Sequence, residues 1–238
     1  MDNNLVNRAI TLFWIIFRLN LLLIVSNVAA IVVVLFVIFH WFTLPLYLFG
    51  VFLLIVSLQG LLLTLRRLDR LEKMSLTKLY VLCYREELKG TAVFALCYVL
   101  AIAVLLGAFS GLRYVQNPGL IFPFYYLLAA VLYVHLIFSM LVRANFFINI
   151  VGAWRLGLYL ISKHYFYAML IFVCTVILGV LANNFPALII LGILPMAGYL
   201  LTAYTKKIIR RLTVDLKVSE SENITQKEIG DASENDSK

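Results

Sequence analysis

The chain has 238 residues, of which 63% are hydrophobic and 13% charged, whereas soluble domains run at about 45–50% apolar and about 25% charged. A chain so short of polar surface cannot cover itself in water, which excludes a soluble globular domain and, for most of its length, disorder. The net charge of +8 comes from 20 basic and 12 acidic residues, and no carboxylate lies between Lys89 and Asp215.

Residues 12 to 65 are almost continuously apolar, long enough for two helices of the roughly 20 residues that cross a bilayer. The run His40-Trp41-Phe42-Thr43-Leu44-Pro45 interrupts them with an aromatic interface residue and a proline suited to starting a helix. This predicts span one at 19–39 and span two at 45–65. The apolar stretch is too long for a cleavable leader and reads as a retained anchor. Residues 66–89 mix charges with Leu68, Leu71, Leu76, Leu79 and Leu82, the pattern of an amphipathic segment on the membrane surface.

Span three is predicted at 91–111 and span four at 123–143, joined by a turn at 113–118. Residues 143–164 carry Asn145, Asn149, Trp154, Arg155 and Lys163 among apolar residues, a second amphipathic segment. Span five follows at 165–181, the turn Asn183-Asn184-Phe185-Pro186, and span six at 187–204. The expected fold is an all-α, polytopic bundle of six transmembrane helices over residues 1–212, with a disordered acidic tail at 213–238. With the N-terminus inside, 19 of the 20 basic residues fall on the inner side and only Arg113 outside. The positive-inside rule therefore places both termini and both amphipathic segments in the cytoplasm. The charge thus has an orientation and lipid meaning, and nucleic acid is not an expected partner.

The spans hold no Asp or Glu, which argues against carboxylate-based proton coupling. Asn27, His135 and Ser139 form the candidate intramembrane polar site. His135 and Ser139 lie one turn apart on one helix face. They could line a polar pocket, or His135 could simply hydrogen-bond a neighbouring helix, which is the preferred reading. Asn27 is expected several turns inside span one, bridging helices in preference to binding a ligand. Ala103, Gly107 and Gly111 form a small-residue ladder read as a packing face within the monomer. Gly192, Pro195 and Gly198 suggest a kinked span six. Lys206, Lys207, Arg210 and Arg211 are candidate contacts for anionic lipid headgroups.

Cys83, Cys97 and Cys174 have no metal or disulfide spacing. His40, His135 and His164 show no ligand spacing either. No catalytic motif is present, so no catalytic residue, metal or cofactor is expected. An interfacial lipid enzyme built on His164, Asn145 and Asn149 would lack a nucleophile–base pair.

Four stretches resemble the YesL-like family of small bacterial integral membrane proteins. They are Phe13-Trp14 with Arg18-Leu19-Asn20-Leu21-Leu22, then Tyr84-Arg85-Glu86-Glu87-Leu88-Lys89-Gly90, then Lys163-His164-Tyr165-Phe166, and finally Phe185-Pro186 with Leu191-Gly192-Ile193-Leu194-Pro195 and Tyr199. The sequence departs from the family after Asn27, where such proteins often carry a Gly/Pro-rich turn. The resemblance implies a multi-pass protein of the bacterial plasma membrane without established catalytic residues. It also implies an accessory role beside a sugar-uptake ABC transporter or another membrane complex. The alternative is a small-molecule-binding membrane subunit or a small transporter.

Overall fold

The computed structural model describes residues 3–68, 74–112, 119, 121–146, 148–184 and 195–202. All regular structure among them is helical: α1 (Asn3–Ser26), α2 (Val28–Phe36), α3 (Leu44–Arg66), α4 (Leu76–Leu112), α5 (Ile121–Asn145), α6 (Ile150–Lys163) and α7 (Tyr165–Asn184). A 3-10 turn at Trp41–Thr43 leads into α3, and residues 195–202 are also helical. The chain divides into two units, Met1–Tyr199 and Leu200–Lys238, and the description that follows concerns the first.

Three stretches are long and apolar enough to cross a membrane: Trp41–Arg66, Leu88–Gly111 and Ile121–Asn145. Two bent pairs reach the same length together. Ile10–Ser26 and Val28–Phe36 meet at 64°, and Ile150–Lys163 and Tyr165–Ile177 at 98°. The described residues therefore offer three spans, or five if each bent pair counts as one. The expected span at 187–204 falls largely outside the described residues, as do Lys206, Lys207, Arg210, Arg211 and the tail at 213–238.

Three expectations are corrected. Span one is not a continuous helix over 19–39: α1 stops at Ser26, Asn27 is non-helical, and α2 ends at Phe36. The cause is local. The Leu23 carbonyl accepts from the Asn27 backbone N–H (3.1 Å), from Asn27 Nδ2 (2.8 Å) and from Ser26 Oγ (2.9 Å). Side chains that back-bond to the preceding turn compete with the helix ladder and bend it.

The charged stretch 66–89 and span three are not separate elements. From Leu76 onward they form the single 37-residue helix α4. At 1.5 Å per residue it is about 55 Å long, well beyond a hydrocarbon core of about 30 Å. Its first turns continue the apolar helix because Leu76, Leu79 and Tyr80 are buried against the rest of the protein.

The second amphipathic segment forms helix α6. Helix α6 folds back along α5, burying Ala153, Gly157 and Leu160. Finally, no described atom lies within 4 Å of a methyl group built at Gly107 or Gly111, so this ladder packs against no described helix.

Helix α3 is the hub. Its last three turns are buried almost all round, from Ile55 to Leu65 with only Leu58 partly exposed. There Leu61 and Leu65 meet Leu19 and Leu23 of α1 and Leu76 and Tyr80 of α4. In contrast, α5 and α7 leave Phe124, Tyr126, Leu127, Tyr165, Phe166 and Met169 widely exposed. An apolar face of that size needs lipid or protein to cover it.

Candidate functional site

Two groups of hydrogen-bonded polar residues join helices inside the bundle, and they share no residue. The first joins α4, α5 and α6. Tyr98 Oη lies 2.8 Å from His135 Nδ1 and donates to Ser139 Oγ at 3.2 Å. His135 Nε2 lies 3.1 Å from the Trp154 carbonyl oxygen and 3.4 Å from Ser139 Oγ. A carbonyl can only accept, so Nε2 carries a proton. Both ring nitrogens of His135 are thus engaged, and the Tyr98 hydroxyl bridges His135 and Ser139.

Glycine makes this contact close. A methyl group at Gly157 would lie 2.5 Å from Ser139 Oγ and 3.3 Å from two atoms of the His135 ring. The face of His135 and Ser139 is therefore occupied by the backbone of α6, with the Trp154 ring edge-on to Tyr98 at 6.1 Å. The pair acts as a helix-to-helix clasp, the plainer of the two readings made from the sequence. Trp154 Nε1 is buried there without an acceptor among the described atoms.

The second group joins α1, α3 and α4 at the helix break. Asn27 Nδ2 donates to the Leu23 carbonyl and, at 2.6 Å, to Ser57 Oγ of α3. Ser57 Oγ in turn donates to the Leu53 carbonyl at 2.8 Å. Ser26 Oγ lies 3.1 Å from Tyr80 Oη of α4. Burial pushes the Tyr80 phenol up to about 12, against the opposing effect of its bond to Ser26. Asn27 does bridge helices, as its sequence position implied. However, its Oδ1 is buried without a hydrogen-bond partner among the described atoms. Beside it a cavity of about 350 Å³ opens between α2 and α3. The predicted trio is thus split: His135 and Ser139 touch, while Asn27 belongs to the other group.

Several other polar residues have structural uses. Asn149 caps α6 by accepting from the Gly152 backbone N–H at 2.8 Å. Asn145 Nδ2 bonds back to the Leu141 carbonyl at 2.8 Å, and His164 packs beside the Tyr167 ring. Arg67 and Glu86 form an ion pair between the end of α3 and α4. Arg66 donates to the Ala144 carbonyl at 2.6 Å, tying α3 to the end of α5. Arg143 is buried, with its guanidinium over the Phe94 ring. Tyr98, Gly157, Ser57 and Gln59 were not singled out in the sequence. A phenol, an amide and a hydroxyl inside apolar spans were the available signals; Gly157 offered none, because its role depends on which helix lies opposite.

This architecture defines a class: an all-helical protein with several helices long and apolar enough to span a membrane. No family model matches the sequence, and no curated protein and no solved structure matches it either.

Proposed function

We propose that the chain is a non-enzymatic accessory protein of the bacterial plasma membrane, with six spans and cytoplasmic termini, that docks on a partner membrane complex. The observation that carries this reading is the closure of the His135 centre. A substrate path needs polar groups facing a hydrated cavity. Here Tyr98, His135 and Ser139 face one another and the α6 backbone, with Gly157 packed against them. That geometry favours an accessory role over the alternative of a small transporter working through His135 and Ser139.

The widely exposed apolar faces of α5 and α7 provide surface for partner helices as well as lipid. The resemblance to YesL-like proteins points to a carbohydrate-uptake ABC transporter as that partner. The distribution of 19 basic residues supports the orientation. The test is co-purification of the tagged chain from native membranes in mild detergents. A stoichiometric membrane complex is the expected result; recovery only as a free monomer in every detergent overturns the proposal. A reporter fused after Arg211 should remain on the cytoplasmic side.

A further inference from the structure

One face of α4 carries three cations in a row. At about 100° and 1.5 Å per residue, Lys78, Arg85 and Lys89 fall within about 40° of a single line and cover about 16 Å of the helix. All three are exposed. The opposite face, with Leu79, Tyr80, Cys83, Phe94 and Tyr98, is buried in the bundle. On the line of the cations the helix continues with Leu96 and Leu100, which are 51% and 57% exposed. The row is thus cationic at one end and bare hydrocarbon at the other. The change falls at Leu88, where the membrane-length stretch Leu88–Gly111 begins.

Among the described residues these three cations have no ion-pair or hydrogen-bond partner. Glu86, the described carboxylate beside Arg85 in sequence, is committed to Arg67. Arg85 and Lys89 stand four residues apart, a spacing at which like charges on a helix repel. Lys78 lies in the first turn of α4, where no acidic residue offsets the positive end of the helix dipole. Each placement is unfavourable for the helix by itself and becomes favourable beside an anion. A groove of about 480 Å³ runs beside Lys78, Val81 and Arg85, so the row is open to one.

We propose that this face binds an anionic phospholipid of the leaflet around it, with the phosphate between Arg85 and Lys89 and an acyl chain along Leu96 and Leu100. Side chains at i and i+4 start about 5–6 Å apart, so both cations can meet one phosphate. The guanidinium offers paired donors to the phosphate oxygens. Lys89 adjoins Leu88, which sets the pair where hydrocarbon gives way to headgroups. Lys78, about 10 Å beyond Arg85 along the helix, meets the outer part of the headgroup. A soluble anion would satisfy the cations alone, whereas a phospholipid satisfies the cations and the apolar row together. The site rests on α4 crossing the bilayer and is independent of a partner complex, since a free monomer presents the same face.

The experiment uses the full chain in a maltoside detergent, titrated with phosphatidylglycerol or phosphatidylcholine and read by native mass spectrometry. Phosphatidylglycerol should bind in preference. Arg85→Gln and Lys89→Gln should each weaken its binding about fivefold, and together about twenty-five-fold, the scale of one cation near a membrane surface. Lys89→Arg, which keeps the charge, should retain binding. Arg155→Gln removes an exposed cation of α6 and should leave binding unchanged. Glycerol phosphate, the same anion without acyl chains, should fail to compete. The Gln variants should melt in lipid-free detergent at the temperature of the parent, so that a loss of binding reports the site and not the fold. Equal binding of the two lipids overturns the proposal. So does a loss in Arg155→Gln as large as that in Lys89→Gln, or full competition by glycerol phosphate, which would mark a soluble-anion site.

Discussion

The two polar centres use similar side chains and end in opposite states. Around His135 the helices are continuous, and Gly157 lets α6 approach until both imidazole nitrogens and the Ser139 hydroxyl are engaged. Around Asn27 the amide first bonds to its own helix, at the Leu23 carbonyl. That bond bends the chain, carries α2 away from the line of α1 and leaves an acceptor and a cavity behind. A polar side chain that reaches across to another helix closes an interface. One that turns back on its own backbone opens a space. The first centre holds the bundle together, and the second has room for something else.

The largest test of that contrast is Gly157→Val. Two methyl groups forced against Ser139 and His135 should cost about 2–3 kcal/mol, the upper part of the range for overpacking. Thermal unfolding in detergent should fall markedly. The corresponding change at the open centre, Gly50→Ala, meets Ala30 Cβ at an ordinary 3.4 Å and should leave the melting temperature unchanged or raised. If both glycines respond alike, the difference in closure between the two centres is wrong.

Next in size is His135→Leu, which strips partners from Tyr98 and the Trp154 carbonyl and should destabilise by about 1–2 kcal/mol. Asn27→Leu should cost less, because the orphaned Oδ1 disappears along with the bonds that Nδ2 makes. A double-mutant cycle between Tyr98→Phe and His135→Leu should return a coupling of about 0.6–1.7 kcal/mol, the scale of hydrogen bonds between membrane helices; zero coupling would mean that the clasp is not energetic.

Gln59 extends the comparison to the hub. It is fully buried in α3, and both its amide atoms lack a hydrogen-bond partner among the described atoms. Gln59→Met keeps the shape and removes both atoms, so stability should rise by on the order of 1 kcal/mol, read as a higher melting temperature. A loss instead would show that the amide is satisfied by a bound water.

The smallest effect at neutral pH is at Tyr80. Its phenol is pushed up to about 12 in the fold, against about 10 in an unfolded chain. The folded state therefore holds a proton that the unfolded state releases. Stability from this group is intact below about pH 10 and declines as pH rises from there through about 12. In Tyr80→Phe that alkaline decline should be shallower, and the bond to Ser26 should be lost at every pH.

Much of this was legible in the sequence because bilayer physics is blunt. Composition and run length identified an all-helical chain with membrane-length helices. The interruption at His40–Pro45 reappears as the turn before α3. Asn27 stood out as a polar residue in an apolar run, and it does bridge to Ser57. The helix break there was missed because hydropathy averages over a window, whereas the break depends on three donors competing for the Leu23 carbonyl. The fusion of the charged stretch with span three was missed because a charge run looks like an end. Nothing along the chain reveals that Leu76, Leu79 and Tyr80 find a core to hold that helix.

What the sequence determined alone is what each residue could tolerate around it: which helices are apolar enough for lipid, and where the positive charges lie. What the tertiary structure decided is which polar atoms meet. His135 and Ser139 became a clasp because a glycine from a helix some twenty residues onward sits opposite them, and Asn27 came to lie beside a cavity because its amide turned back on its own chain. Hydropathy is a property of the segment, but a hydrogen bond needs two partners within about 3 Å, and only the folded chain fixes that distance.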